Sequence, residues 1–98
     1  MYDIPKAEQA FETSKNKHAQ LFIKKIQEEM QDVAIDIKNA TEAGYFSTTI
    51  YIKRKDVCKV VRKNLKELGY KVSRIHCNDY NFNYYFYISW KQKRREKI

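Results

Sequence analysis

Histidine and cysteine are the side chains in this sequence best suited to hold a metal ion, but they are few and poorly spaced. His76 and Cys77 are adjacent in a segment with strand-like composition, so their side chains point to opposite faces of a strand. His18 falls in a separate, helical segment. We therefore expect no metal site and no cofactor.

Paired carboxylates could act as a general acid and base, but their context here argues against it. Glu28, Asp32 and Asp36 follow one another at four-residue spacing on a predicted helix, which is typical of a charged surface. Gly44 and Gly69 each follow a predicted helix, where they serve as caps and leave no glycine-rich phosphate loop. The sequence predicts no catalytic residues, so we expect that the protein is not an enzyme.

A tyrosine-rich sheet face is the first candidate site. Alternation along the predicted strand 82–90 turns Tyr85 and Tyr87 away from the helices, and residues 45–53 add Tyr45 and Tyr51. Such a face can form a protein interface, including a homodimer, or can stack the bases of a single-stranded nucleic acid. A third alternative is that the N-terminal arm covers it. We favour a protein interface formed by these four tyrosines.

A run of basic residues along and before the predicted second helix is the second candidate site. It could follow a phosphate backbone, although the charged face of an amphipathic helix is most often only its solvated side. None of these residues is expected to recognise base edges. Any nucleic-acid binding should therefore weaken as the salt concentration rises and discriminate poorly between nucleotide sequences. The candidate nucleic-acid-binding residues are Lys53, Arg54, Lys55, Lys59, Arg62, Lys63 and Lys66.

The elements that position these residues begin with a long first helix. Pro5 suits a first helical turn, and Gly44 suits a left-handed cap at the end. Polar residues near Thr13 weaken the pattern, so residues 1–14 are expected to be a loose arm or a separate short helix. The apolar stripe of this helix has helical spacing and comprises Ala19, Phe22, Ile26, Met30, Val33, Ile37 and Ala40.

The rest of the chain predicts a strand, a second helix and a hairpin. The strand covers residues 45–53, the helix runs from an N-cap at Asp56 to Leu68, and the hairpin strands cover 70–77 and 82–90. The order is α-β-α-β-β, an α+β fold with two helices on one face of a three-stranded sheet. We predict that the third strand lies between the first and the second.

Size and charge bound the classes of function. The chain has 98 residues, enough for a single domain over 1–98. Residues 1–49 have a net charge of −2 and residues 50–98 a net charge of +10, and residues 91–98 form a basic tail. A clustered positive surface attracts polyanions or acidic proteins. Cys58 and Cys77 are expected to be reduced, and with no membrane-length apolar run we expect a cytoplasmic protein.

A few motifs carry a resemblance to a group of known proteins. Ala40 and Gly44 before a Ser-Thr-Thr-Ile strand, Leu65 to Val72 with its Leu-Gly-Tyr step, and the terminal Tyr87-Ile88-Ser89-Trp90 resemble small uncharacterised proteins of bacteriophages and prophages. The resemblance covers about residues 30–90, and its motifs are structural. It implies a short protein that binds host or viral macromolecules, such as host enzymes, defence systems or replication factors.

Together these observations predict a phage-type accessory protein, active in the host cytoplasm, that works through protein contacts. It would act as a homodimer, as an inhibitor of a host protein, or as both. The alternative is a basic nucleic-acid-binding protein that uses the second helix and the tyrosine-rich face. Sequestration of a small ligand such as a nucleotide stays open, although no residue pattern favours it.

Overall fold

The chain folds into two helices and an antiparallel sheet in a computed structural model, which describes residues 3–78, 80 and 83–91. The α+β class is confirmed. In chain order the elements are α1 (Ala7–Glu42), β1 (Ser47–Ile52), α2 (Lys55–Glu67), β2 (Lys71–Val72), β3 (His76–Asn78) and β4 (Asn83–Ser89). Neither helix in the described part of the chain has the length and apolar character needed to cross a membrane.

Helix α1 is continuous over 36 residues, and it packs on the rest of the molecule only from Phe22 onward. Its apolar stripe contacts the core from Phe22 onward, whereas Ala19, which the periodicity placed in the stripe, is exposed. Residues 7–14 belong to the same helix, with no break near Thr13. The helix ends at Glu42, and at Gly44 a φ of +84° allows the Tyr45 N–H to bond back to the Ala40 carbonyl.

Helix α2 covers the sheet with a fully apolar face. Val57, Cys58, Val61 and Leu65 are buried, as their spacing requires. The predicted N-cap is wrong by two residues, because the cap position is Arg54 and Asp56 lies inside the first turn. Asp56 still serves the helix start, since its carboxylate accepts a hydrogen bond from the Val57 N–H at 2.9 Å.

The sheet has four strands, and the prediction of three is wrong in this respect. β4 pairs antiparallel with β1 on one side and with both β2 and β3 on the other, so the order is β1-β4-β2 with β3 also on β4. The predicted strand 70–77 therefore divides into β2 and β3. The predicted turn 78–81 lies partly outside the described residues.

Two hydrogen bonds explain why the chain leaves the sheet between β2 and β3. The Arg62 Nε donates to the Ser73 carbonyl at 2.6 Å, and the Ser73 hydroxyl accepts the Tyr87 N–H at 2.8 Å. The Ser73 hydroxyl thus takes the place of a backbone carbonyl as the acceptor for the Tyr87 N–H, and the strand has a local bulge at this point.

A single core lies between the helices and one face of the sheet. Ile50 and Ile52 of β1 and Phe86 and Ile88 of β4 meet Val33 of α1 and the buried face of α2. Because side chains alternate along a strand, burial of these four residues directs their neighbours to the opposite face of the sheet.

Candidate functional site

The open face of the sheet carries a cluster of aromatic rings that the register of three strands brings together. Tyr85 of β4 lies opposite Tyr51 of β1 on one side and opposite His76 of β3 on the other. Tyr87 follows two residues later on the same face. We call Tyr51, His76, Tyr85 and Tyr87 the aromatic face.

The rings of the aromatic face contact one another as a continuous group. The His76 and Tyr85 rings stack with centroids 5.1 Å apart, and the Tyr51 and Tyr85 centroids are 5.7 Å apart. Tyr87 meets both His76 and Tyr85 edge-on at 5.9 Å. These distances and tilts are favourable for aromatic pairs, so the rings hold one another in position.

The outer rings of this group remain accessible. Tyr51 is 60% exposed and Tyr87 is 51% exposed, whereas His76 and Tyr85 are half-buried between them. Residues 3–21 are exposed along their whole length, so the described part of the N-terminal segment does not cover the face. Within the described part of the chain, the Tyr51 and Tyr87 rings are therefore accessible to another molecule.

Tyr45, which the sequence assigned to the same interface, lies outside the cluster. It precedes β1 and is exposed at the end of α1, next to the exposed ring of Phe46. Sequence reasoning in turn missed His76 as a member of the aromatic face. Its alternation with Cys77 was visible, but its cross-strand neighbour depends on the register with β4.

The surroundings of the aromatic face are positively charged. Lys71 pairs with Ser89 on the same side of the sheet as Tyr87, and Lys53 continues the alternation of Tyr51 beyond β1. Arg74 and Lys91 are exposed nearby in the chain. No aspartate or glutamate occurs within residues 47–53, 71–78 or 83–91 of the described chain. An anionic surface therefore suits this face better than a cationic one.

The basic residues of α2 lie on the other side of the molecule. The buried face of α2 packs on the covered side of the sheet, so its opposite face points away from the aromatic face. We call its exposed lysines, Lys55, Lys59, Lys63 and Lys66, the basic ridge.

Two of the candidate nucleic-acid-binding residues make contacts within the chain. Arg54 forms an ion pair with Asp56 at 2.6 Å and lies over the Phe22 ring, 5.8 Å from its centroid. Arg62 is half-buried and donates to Ser73. The hydrogen bonds from Arg54 lower the pKa of the Asp56 carboxyl below its usual value, which keeps that carboxylate charged.

The cysteines differ in their surroundings. Cys58 is buried in the core, and burial raises the pKa of its thiol to about 11, so it stays protonated at neutral pH and is a poor nucleophile. Cys77 is free and exposed. Among the residues that the structure describes, no three histidine, cysteine or carboxylate side chains are close enough to share a metal ion.

An apolar groove lies between the two helices. It has a volume of about 380 Å³ and is lined chiefly by Met30, Ile37, Leu65, Leu68 and Tyr70. Among its described lining residues, Lys38, Thr41 and Tyr70 have polar side-chain atoms. A nucleotide needs several convergent polar groups, so this groove fits an apolar group better than a nucleotide.

Comparison with known proteins adds no relative to this description. No protein-family model matches the sequence, and neither a curated protein nor a solved structure matches it.

Proposed function

We propose that this chain is a non-enzymatic binding module that holds an acidic surface of another protein on the aromatic face. The observation that carries the proposal is a cluster of accessible, mutually packed tyrosines on strand segments that carry basic side chains and, among residues 47–53, 71–78 and 83–91, no carboxylate. The resemblance to bacteriophage proteins favours a host or viral protein as the partner, and a phage-type accessory or inhibitory role in the host cytoplasm.

The rings suit a protein partner for an energetic reason. Tyrosine provides a large contact area with few rotatable bonds, and packing among Tyr51, Tyr85 and Tyr87 has already reduced their freedom before binding. Less conformational entropy is therefore lost when a partner docks. Aromatic residues near the centre of an interface are also where binding energy concentrates.

Charge argues that the partner on this face is a different protein and not a second copy. A twofold interface brings the same patch of both copies together. Lys53 and Lys71 would then approach cations of the other copy with no described carboxylate of the face to offset them. Like charges across an interface oppose association, whereas acidic groups on a partner would stabilise it.

A single-stranded nucleic acid is the second candidate, because bases stack on tyrosine rings and phosphates pair with lysine. Lys53 and Lys71 beside the aromatic face favour it. The basic ridge faces away from the rings, so one short strand would contact either surface but not both. This candidate requires binding that falls steeply with salt.

A site-specific photo-crosslinking experiment tests the first candidate. A benzophenone amino acid replaces Tyr87 in one sample and Ile35, exposed on α1, in a control sample, and both are irradiated in a bacterial lysate. A protein captured from position 87 alone is identified, purified and titrated against the wild type, a double variant with Tyr51→Ala and Tyr87→Ala, and the control Leu68→Ala. We expect roughly tenfold or greater loss of affinity for the double variant only.

The same proteins are titrated with a labelled mixed-sequence oligonucleotide at low and high salt. No binding to the oligonucleotide supports the protein partner. Salt-sensitive binding that the tyrosine double variant abolishes overturns the proposal in favour of the second candidate. A captured protein whose affinity is the same for all variants also overturns it, because the aromatic face would then not be the contact surface.

A further inference from the structure

The N-terminal part of α1 extends beyond the folded domain without packing on it. Residues 7–21, which we call the overhang, are exposed at every position, and Phe22 is the first residue of the helix that is half-buried. At 1.5 Å per residue the overhang is about 22 Å long. The molecule accordingly measures 81 × 31 × 22 Å.

Apart from Glu8 in its first turn, the overhang has few features that would stabilise a solvated helix. The cap residue Lys6 makes no side-chain hydrogen bond to the first turn. Thr13, Ser14 and Asn16 are poor helix formers. Within the described residues no charged side chain of the overhang forms an ion pair. Helices gain most of their stability from packing, so a further surface is expected against this segment.

A heptad seam runs along the overhang. Ala7, Phe11, Ser14, His18 and Leu21 are separated by 4, 3, 4 and 3 residues, which is the spacing of a two-stranded coiled coil. Phe11, at 65% exposure, is the largest of them. From Ala7 to His18 small residues alternate with large ones along the seam, so a large side chain can pack against a small one on a neighbouring helix.

We propose that the overhang pairs in antiparallel orientation with the overhang of a second copy of this chain. In the register we favour, Phe11 packs against Ser14 of the partner subunit. Ala7 then packs against His18 of the partner subunit. Both contacts occur twice because the arrangement has twofold symmetry.

Charge complementarity selects this register. Glu8 and Lys15 occupy the same flanking position of successive heptads, beside the seam. Antiparallel pairing places Glu8 opposite the partner's Lys15, and Lys15 opposite the partner's Glu8. Parallel pairing brings neither opposite-charge pair together. A shift of one heptad toward the C-terminus would instead set Lys15 against the partner's Lys15, which is repulsive.

The seam is only about two heptads long and contains few large apolar residues, so the dimer should be weak and depend on concentration. It leaves the aromatic face of each copy free. The inference is therefore independent of the proposed function, and either can fail without the other.

Sedimentation equilibrium of the full chain from micromolar to millimolar concentration tests the proposal. The variants are Phe11→Ser, Glu8→Lys, the charge exchange Glu8→Lys with Lys15→Glu, and Ile23→Ser. Ile23 is the matched control, because it is 56% exposed on the same helix but lies off the seam. Far-UV circular dichroism checks that every variant keeps its helices, and the double variant of Tyr51 and Tyr87 is measured alongside.

We expect a reversible monomer–dimer equilibrium for the wild type and for Ile23→Ser. Phe11→Ser should raise the dissociation constant roughly tenfold or more, Glu8→Lys should raise it less, and the charge exchange should restore it. A monomer at all concentrations overturns the proposal. A dimer that ignores Phe11→Ser, or that is lost with the tyrosine variants, places self-association elsewhere. Failure of the exchange to restore the dimer excludes the antiparallel register.

Discussion

The two faces of strand β4 differ completely in what surrounds them, although their residues alternate along one short segment. Phe86 and Ile88 are fully buried beneath the helices, whereas Tyr87 between them is half exposed among other rings. Burial of the first pair stabilises the fold, and exposure of the tyrosine leaves it available for recognition. A strand of this kind lets mutations separate stability from binding.

The largest expected loss of stability comes from a substitution on the covered face of the sheet. Phe86→Ala should lower the free energy of unfolding by about 3–5 kcal/mol, because it removes a ring from a close-packed core. Tyr87→Ala should lower it by about 1–2 kcal/mol, because half of that side chain is already in water and the rest contacts the His76 and Tyr85 rings. Urea denaturation followed by circular dichroism measures both. Equal losses for the two variants would contradict the division of the strand into a structural and a recognition face.

An intermediate effect is expected where the two faces are connected. Arg62 reaches from α2 to the Ser73 carbonyl, and the Ser73 hydroxyl in turn holds the Tyr87 N–H. Arg62→Ala should lower the free energy of unfolding by about 1.5–3 kcal/mol, since it removes a half-buried hydrogen bond from a charged donor. Lys63→Ala, at the neighbouring exposed position, should change the free energy of unfolding by less than about 0.5 kcal/mol. Thermal unfolding of both compares them, and a cost for Lys63 as large as that for Arg62 would refute this assignment.

The smallest effect is expected at the charged edge of the covered side. The pKa of Asp56 is lower in the folded state than in the unfolded state, chiefly because Arg54 donates hydrogen bonds to its carboxylate. The ionised carboxylate therefore adds to the free energy of unfolding at pH values above its unfolded pKa of about 4. This stabilisation is lost as the pH falls through the folded-state pKa. The carboxylate is about half exposed, and solvent screening limits the gain to a few tenths of a kcal/mol.

Urea denaturation of the wild type and of Asp56→Asn, at pH 7 and again at pH 2, measures this contribution. The wild type should be slightly more stable at pH 7 only, and the difference should shrink with added salt. A difference that persists unchanged at pH 2 would show that the charge of Asp56 is not its cause.

Local patterns in the sequence predicted those features that depend on neighbouring residues. The amphipathic character of α2, the glycine that follows each helix and the alternation along β4 follow from periodicity and backbone preference. Each of these needs only a window of a few residues. The tyrosines on the open face were therefore predictable one by one.

Features that depend on contacts between residues far apart in the chain could not be predicted from the sequence. The split of the predicted strand 70–77 results from contacts of Ser73 with Arg62 and Tyr87, which lie 11 and 14 residues away in the chain. The place of His76 beside Tyr85 depends in turn on the register of β3 after that split. Periodicity contains no information on either contact. For the same reason the separation of the basic ridge from the aromatic face became clear only in three dimensions.

The length of α1 also has a hydrodynamic consequence. The radius of gyration is 19.0 Å, whereas a compact chain of this length would have a value of about 13 Å. An elongated particle diffuses more slowly than a sphere of equal mass, so a single copy should leave a gel-filtration column early, with the apparent mass of a larger protein. The elution volume alone would then mimic a dimer.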